Sequence, residues 1–230
     1  MARRRLIAFA VLGIASYAVA MVATLPASVA FKNRPWRTGV AGTIWNGEVG
    51  VSGGTAVSWH WSPLRSLTSL GYAADWKATG PDTDLGGRAL MGFTSRVFDK
   101  VSGSATAAML PVLQPALPFT CDMTAQVEIE RAEFGGTGQM MKGTVVSDPG
   151  TCTPRFGGAA ATQLPSLIMT SEKIGTETRI RMAPATQRLK TLINGVLHED
   201  GQLEVSLTPE GAAMMPFIPL RPGVVLRRRL

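Results

Sequence analysis

Apolar and polar positions alternate over short stretches along most of this chain, with one long exception at its start. From Leu6 to Leu25 there is no alternation and no charge, only an apolar run of roughly 20 residues that spans ~30 Å as a helix. Beyond it the period is two. Asn46-Gly47 separates Val40–Trp45 from Glu48–Val51, and Asn-Gly predicts a β-hairpin with a type I′ turn. Thr55 to Trp61 places Val57, Trp59 and Trp61 on one face and Ala56, Ser58 and His60 on the other. Leu64 to Leu70 reads as a short helical turn after Ser62-Pro63. Leu70 to Thr79 alternates again, with Tyr72, Ala74 and Trp76 inward, and Gly80-Pro81-Asp82 turns the chain.

Leu85 to Ser95 and Val101 to Met109 predict two more strands. Pro111 to Pro118 predicts a short helix or an extended corner. Ala125, Val127 and Ile129 alternate with Gln126, Glu128 and Glu130, Gly135-Gly136 marks a turn, and Met140 to Val146 returns. Leu164 to Thr170 and Thr176 to Met182 pair around Gly175, with Ile180 and Met182 inward. Gln187 to Leu192 is the best helix candidate in the body. Val196–His198 and Gln202–Leu207 flank Glu199-Asp200-Gly201, a second hairpin signal, and Leu203, Val205 and Leu207 face inward. Prolines at 216, 219 and 222 keep the last stretch extended. The expectation is an all-β fold, an antiparallel meander forming a curved sheet, sandwich or partial barrel, preceded by one N-terminal transmembrane helix.

Charge sharpens this picture. The chain of 230 residues carries a net +7, but Arg3–Arg5 and Arg227–Arg229 supply most of the excess. The body between them is nearly neutral and offers no basic face, which argues against nucleic-acid binding. Arg3–Arg5 precede the apolar run, and the positive-inside rule leaves them cytoplasmic and sends the body outward. Residues 1–30 therefore read as a cytoplasmic Arg cluster and transmembrane signal anchor, and 31–230 as an exported β-rich domain. A cleaved signal peptide is the alternative, with small residues at Ala18-Val19-Ala20 and Ser28-Val29-Ala30. Pro26 closes the helix, and a linker over Phe31–Arg37 holds Pro35 and Trp36. Trp36 fits either the membrane interface or ordinary packing. The tail at Arg227–Arg229 reads as a solvated terminus.

Two cysteines, Cys121 and Cys152, predict a disulfide in an exported body, contributing roughly 3.5 kcal/mol by chain entropy. No catalytic constellation is recognisable. His60 sits on the outward face of a strand, and His198 beside Glu199 and Asp200 reads as a solvated polar turn rather than a cation site. Gly53-Gly54, Gly86-Gly87 and Gly157-Gly158 are turn glycines, with no P-loop lysine after them. The expectation is a non-enzyme without cofactor or metal.

Leu25-Pro26-Ala27, a short gap, and then Gly39-Val40-Ala41-Gly42-Thr43-Ile44-Trp45-Asn46-Gly47 resemble the type II secretion system protein N family. Trp59-His60-Trp61-Ser62-Pro63-Leu64 is similar to the segment that follows in that family, and Gly195 to Leu207 resembles its end. A glycine–tryptophan–glycine hairpin also occurs in long β-sheet envelope proteins of the AsmA kind. The resemblance implies a non-catalytic, single-pass inner-membrane protein with a periplasmic β-rich domain, whose partners are other type II secretion envelope proteins. It implies neither the cysteine pair nor the arginine tail.

Within that reading, Gly42, Thr43, Trp45, Asn46, Gly47, Trp59 and Trp61 form the family-motif hairpin. Trp45 is a candidate contact anchor, beside the plainer reading of a core residue that pins the hairpin. The alternative function is lipid or lipopolysaccharide handling in an apolar groove. Ala105–Met109, Met91, Met140 and Met141 are its candidate lining, beside the reading of an ordinary core.

Overall fold

A computed structural model describes residues 2–32, 36–110, 114–136, 138–155 and 160–229, without the side chains of residues 2, 3, 5, 6 and 8. Pro35, Pro111 and Gly157-Gly158 lie outside the described residues. The apolar run forms helix α1 (Ala2–Ala23), 22 residues long. Among the described residues no helix is long and apolar enough to cross a membrane.

The alternating stretches form sixteen strands among the described residues: β1 (Arg37–Gly42), β2 (Asn46–Val51), β3 (Thr55–Trp61), β4 (Tyr72–Gly80), β5 (Thr83–Met91), β6 (Ser95–Thr106), β7 (Phe119–Asp122), β8 (Thr124–Gly135), β9 (Met140–Ser147), β10 (Gly150–Pro154), β11 (Thr162–Leu164), β12 (Leu167–Ile174), β13 (Glu177–Pro184), β14 (Ile193–His198), β15 (Gln202–Leu207) and β16 (Val225–Arg229). Thirteen of them make one antiparallel sheet in sequence order, from β1 at one edge to β16 at the other. β7, β10 and β11 form a separate three-stranded sheet. The main sheet is open and does not close into a barrel. Two short helices punctuate it, α2 (Pro63–Thr68) and α3 (Pro209–Met214).

Several local expectations need correction. The first hairpin exists, but Asn46-Gly47 is not its turn. Gly42 pairs with Gly47, so the loop is Thr43–Asn46 and Asn46 already belongs to β2. The left-handed position is Gly42, at φ 83°. Gln187–Leu192 is not a helix. It forms successive turns, in which the Gln187 amide donates to the Pro184 carbonyl at 3.0 Å and the Lys190 amide to that of Gln187 at 2.9 Å. The Leu164–Thr170 stretch is split, its start in the small sheet as β11 and the rest in the large sheet as β12. Arg227–Arg229 are exposed as expected, but they are a paired edge strand rather than a loose terminus.

The alternation itself held. In β4 Ala74 and Ala78 are buried while Asp75 and Lys77 are exposed. In β8 the phase slips at Glu130 and Arg131, both exposed, where the register against β9 shifts. An extra residue there is a β-bulge, and it re-aims Ala132 into the core.

The buried side chains gather in two places. One cluster joins the small sheet to the end of β12–β15 farther from α1, around Leu164, Leu192, Leu207, Met215 and Phe217. Cys121 and Cys152 are directly opposed across β7 and β10 and are disulfide-bonded. The other cluster lies on one face of β2–β4 beside the exit of α1, around Ala27, Val49, Trp59 and Ala74.

Candidate aromatic junction and apolar groove

The second cluster is built from the first hairpin loop outward. The Thr43 amide donates to the Asn46 carbonyl at 2.8 Å and closes the loop. The Thr43 hydroxyl accepts from the amides of Trp45 and Asn46 at 3.3 and 3.2 Å. A hydroxyl two or three residues back is a standard substitute for a backbone turn bond. This holds Trp45 at the loop apex, turned toward α1.

The last carbonyls of a helix have no partner within it. The indole N–H of Trp45 supplies one, donating to the Val22 carbonyl at 2.9 Å. Two further contacts join the chain leaving α1 to the same loop: the Ile44 amide donates to the Leu25 carbonyl at 3.0 Å, and Pro26 bridges to Thr43.

Trp59 and Tyr72 converge on the Ile44 carbonyl, donating at 3.1 and 2.6 Å and using both of its lone pairs. Burial raises the Tyr72 hydroxyl's pKa above its ordinary 10.0. Gly47 lets the Trp59 ring lie flat on the hairpin, since a Cβ there would meet ring carbon Cζ2 at 2.6 Å. Phe31 packs against Trp59 and Trp36 at centroid distances of 5.3 and 6.2 Å, so Trp36 is a packing residue. Trp61 packs against Trp45 with the rings tilted and their centroids 4.7 Å apart, and it donates to the Ser66 hydroxyl at 2.8 Å. That hydroxyl also accepts from the Ala73 amide at 2.9 Å and so ties α2 to β3 and β4.

Gly42, Thr43, Trp45, Asn46, Gly47, Trp59 and Trp61 are thus one constellation. Beside it opens a cavity of about 620 Å³, lined almost wholly by carbon and bounded by Phe31, Ile44, Val57, Trp59, Tyr72 and Trp76. The indole N–H of Trp76 is buried and has no hydrogen-bond partner. Of the methionines expected to line a groove, Met91 does so. Met140, Met141 and the Ala105–Met109 stretch lie elsewhere, with the Met109 sulfur against the Thr55 and Thr83 hydroxyls.

The polar candidates do not converge. His60 faces outward opposite Asn46 and Asp75. His198 Nδ1 lies 3.6 Å from Glu177, Glu199 pairs with Lys173 at 2.9 Å, and Asp200 accepts from the Gln202 amide at 3.0 Å. Among the described residues no three such side chains are placed to hold a metal ion.

The aromatic junction opens the region that matches a known family. The model of type II secretion system protein N matches residues 33–216, from just after α1 through α3. The chain belongs to the type II secretion system protein N family. Comparison with curated proteins and with solved structures returns no match. The matched span takes in β1 to β15 and thus nearly all of the open sheet. Sequence reasoning missed Phe31 and the carbonyl of Val22 as parts of the junction. The available signal was an aromatic residue placed directly after an apolar helix.

Proposed function

We propose that this member of the type II secretion system protein N family is a non-catalytic envelope component, held in the inner membrane by α1, whose periplasmic sheet engages other secretion proteins. The observation that carries the reading is the junction. An apolar helix is tied by Trp45 and Leu25 to the first loop of a sheet that ends in two strand edges.

The described side chains of α1 beyond Arg4 are exposed and apolar around the whole helix, the mark of a helix whose solvent is not water. The described part alone falls short of a span. The uncharged sequence from Leu6 to Leu25 completes the length a bilayer needs. The disulfide fits an oxidising compartment. The outer edge of β16 is exposed along its length, and an exposed edge is where a partner adds a strand.

The test is in-cell photocrosslinking from Thr38 on β1 and Leu226 on β16. Adducts with secretion-envelope proteins from either edge are expected. Adducts with neither, in cells where the protein is present and folded, would overturn the reading.

A second reading is favoured by the cavity. Its carbon lining and its volume suit an apolar ligand such as a lipid chain. Native mass spectrometry of the purified full chain checks it: a bound lipid that is lost in Ala74→Leu supports lipid handling, and an empty protein rejects it.

A further inference from the structure

In an antiparallel meander successive connections fall at alternate ends of the sheet. The loop after β1, helix α2 after β3 and the turn after β5 therefore share one end, and it is the end where the chain leaves α1. Large apolar side chains stand in the open there. Leu64 is 78% exposed, Leu67 73%, Leu70 79% and Phe93 98%. Leu64 and Leu67 are three apart on α2 and share a helix face. Leu70 and Phe93 are brought together by neighbouring strands, Tyr72 pairing with Met91 and Gly71 packing on Gly92.

Among the described residues, the opposite end of the same strands has no large apolar side chain so exposed; the largest there is Leu110 after β6, at 40%. The connections at that end are Ser52-Gly53-Gly54 and Pro81-Asp82. Farther along the sheet the connections on the α1 side turn polar again, as at Gly135-Gly136 and Glu199-Asp200-Gly201. Ile174, at the end of β12, is the exception at 48% exposure, and the large apolar side chains at this end exposed beyond 70% are confined to β1–β6, a width of ~24 Å at ordinary strand spacing. Leu70 adds a further sign. It holds φ 47°, a left-handed conformation that suits Gly or Asn, while its side chain points into the open. Strain and exposure at one residue are costly together in water.

We propose that this rim rests in the membrane interface, with Leu64, Leu67, Leu70 and Phe93 inserted among the phospholipids of the leaflet from which α1 emerges. The proposal rests on the reading of α1 as a membrane span. Trp45 and Trp61, packed together between the rim and residues 18–23 of α1, then lie at headgroup depth, where indole rings concentrate. The first third of the sheet stands on the bilayer, and β8–β16 are held clear of it for partners.

The test uses the full chain with its native disulfide, in nanodiscs of phosphatidylethanolamine and phosphatidylglycerol. Spin labels are placed singly at Leu67→Cys, Phe93→Cys, Val11→Cys and Asp82→Cys. Collision with oxygen is compared with collision with a water-soluble nickel chelate. Labels at 67 and 93 are expected to favour oxygen, as at 11, while the label at 82 favours nickel. Nickel-favouring labels at 67 and 93, with 11 still favouring oxygen, overturn the rim and leave the anchor standing. A nickel-favouring label at 11 overturns the anchor, and the rim falls with it.

Discussion

The Trp45 indole donates to the Val22 carbonyl at 2.9 Å, across 23 positions of sequence, and joins the helix to the sheet. The bond does two things at once. It gives a second donor to a helix-end carbonyl that already accepts from the Leu25 amide at 3.3 Å, and it fixes the direction in which the sheet leaves the helix. Trp45→Phe keeps an aromatic ring against Trp61 but removes the donor. The expected result is an intact sheet with a looser junction. Amide exchange at Ile44, which donates to Leu25, should speed up roughly five- to tenfold, the equivalent of a net hydrogen bond of about 1 kcal/mol. Unchanged exchange at Ile44 would mean that the backbone contacts alone set the junction.

Gly39 on β1 and Gly47 on β2 belong to the same hairpin and should respond differently to a methyl group. At Gly47 an added Cβ meets the Trp59 ring and the Ala41 and Thr43 carbonyls, all within 2.9 Å. At Gly39 it meets nothing within 4 Å. Gly47→Ala should cost about 1–3 kcal/mol, as overpacking does, and Gly39→Ala close to nothing. Urea midpoints of the two variants make the comparison, and equal midpoints would contradict the packing argument.

Alkaline pH should act through Tyr72. Its hydroxyl is held neutral in the fold by burial, so its folded pKa lies above the unfolded 10.0. The stabilisation this represents is fully present below pH 10.0 and is lost as pH rises through the folded value, because only the unfolded chain then releases the proton easily. Tyr72→Phe lacks the bond to Ile44, so it should be less stable at neutral pH yet lose less on going to about pH 11. Thermal melts of both proteins on either side of pH 10.0 check the sign.

The sheet was legible in the sequence because one face is buried and the other is not, which forces alternation at Val57–Trp59 or Ala74–Trp76. What was not legible has specific causes. Asn46-Gly47 carries the strongest two-residue turn signal, yet Thr43 outcompetes it by capping two amides and leaving Gly42 as the left-handed residue. Helix α3 begins at Thr208-Pro209-Glu210, a start signal that the nearby prolines masked. The Thr208 hydroxyl accepts from the Gly211 amide at 3.0 Å. The aromatic junction was half visible, since the tryptophans stood out. Their shared acceptor, the carbonyl of Ile44, has no signature in sequence.

The disulfide should matter locally before it matters globally. Cys121 and Cys152 join two strands of the small sheet, which caps the cluster around Leu192 and Phe217. Replacing both with alanine should lower stability by about 2–5 kcal/mol. It should first release amides in β7 and β10, while those in β2–β5 keep their protection. Hydrogen exchange resolved by segment separates this from uniform loosening, which would mean that the two clusters unfold as one.

Arg227, Arg228 and Arg229 occupy the outer edge of a sheet with thirteen strands, where unpaired backbone groups invite another chain. Arg227 is held by Glu204 at 2.8 Å, on an exposed surface where such a pair contributes little stability. The arginines are better understood through what they prevent: two copies cannot join β16 to β16 without stacking like charges. Replacing all three with threonine keeps the strand and removes the repulsion. The expected outcome is a monomer-to-dimer shift in detergent solution by light scattering, with an unchanged melting temperature at low concentration. Ending the chain after Gly223 instead should leave β1–β15 folded and bare the edge of β15, with Leu203 and Val205 beside it, and so should also self-associate. If the threonine variant stays monomeric while the shortened chain associates, β16 itself protects the edge and its charge does not.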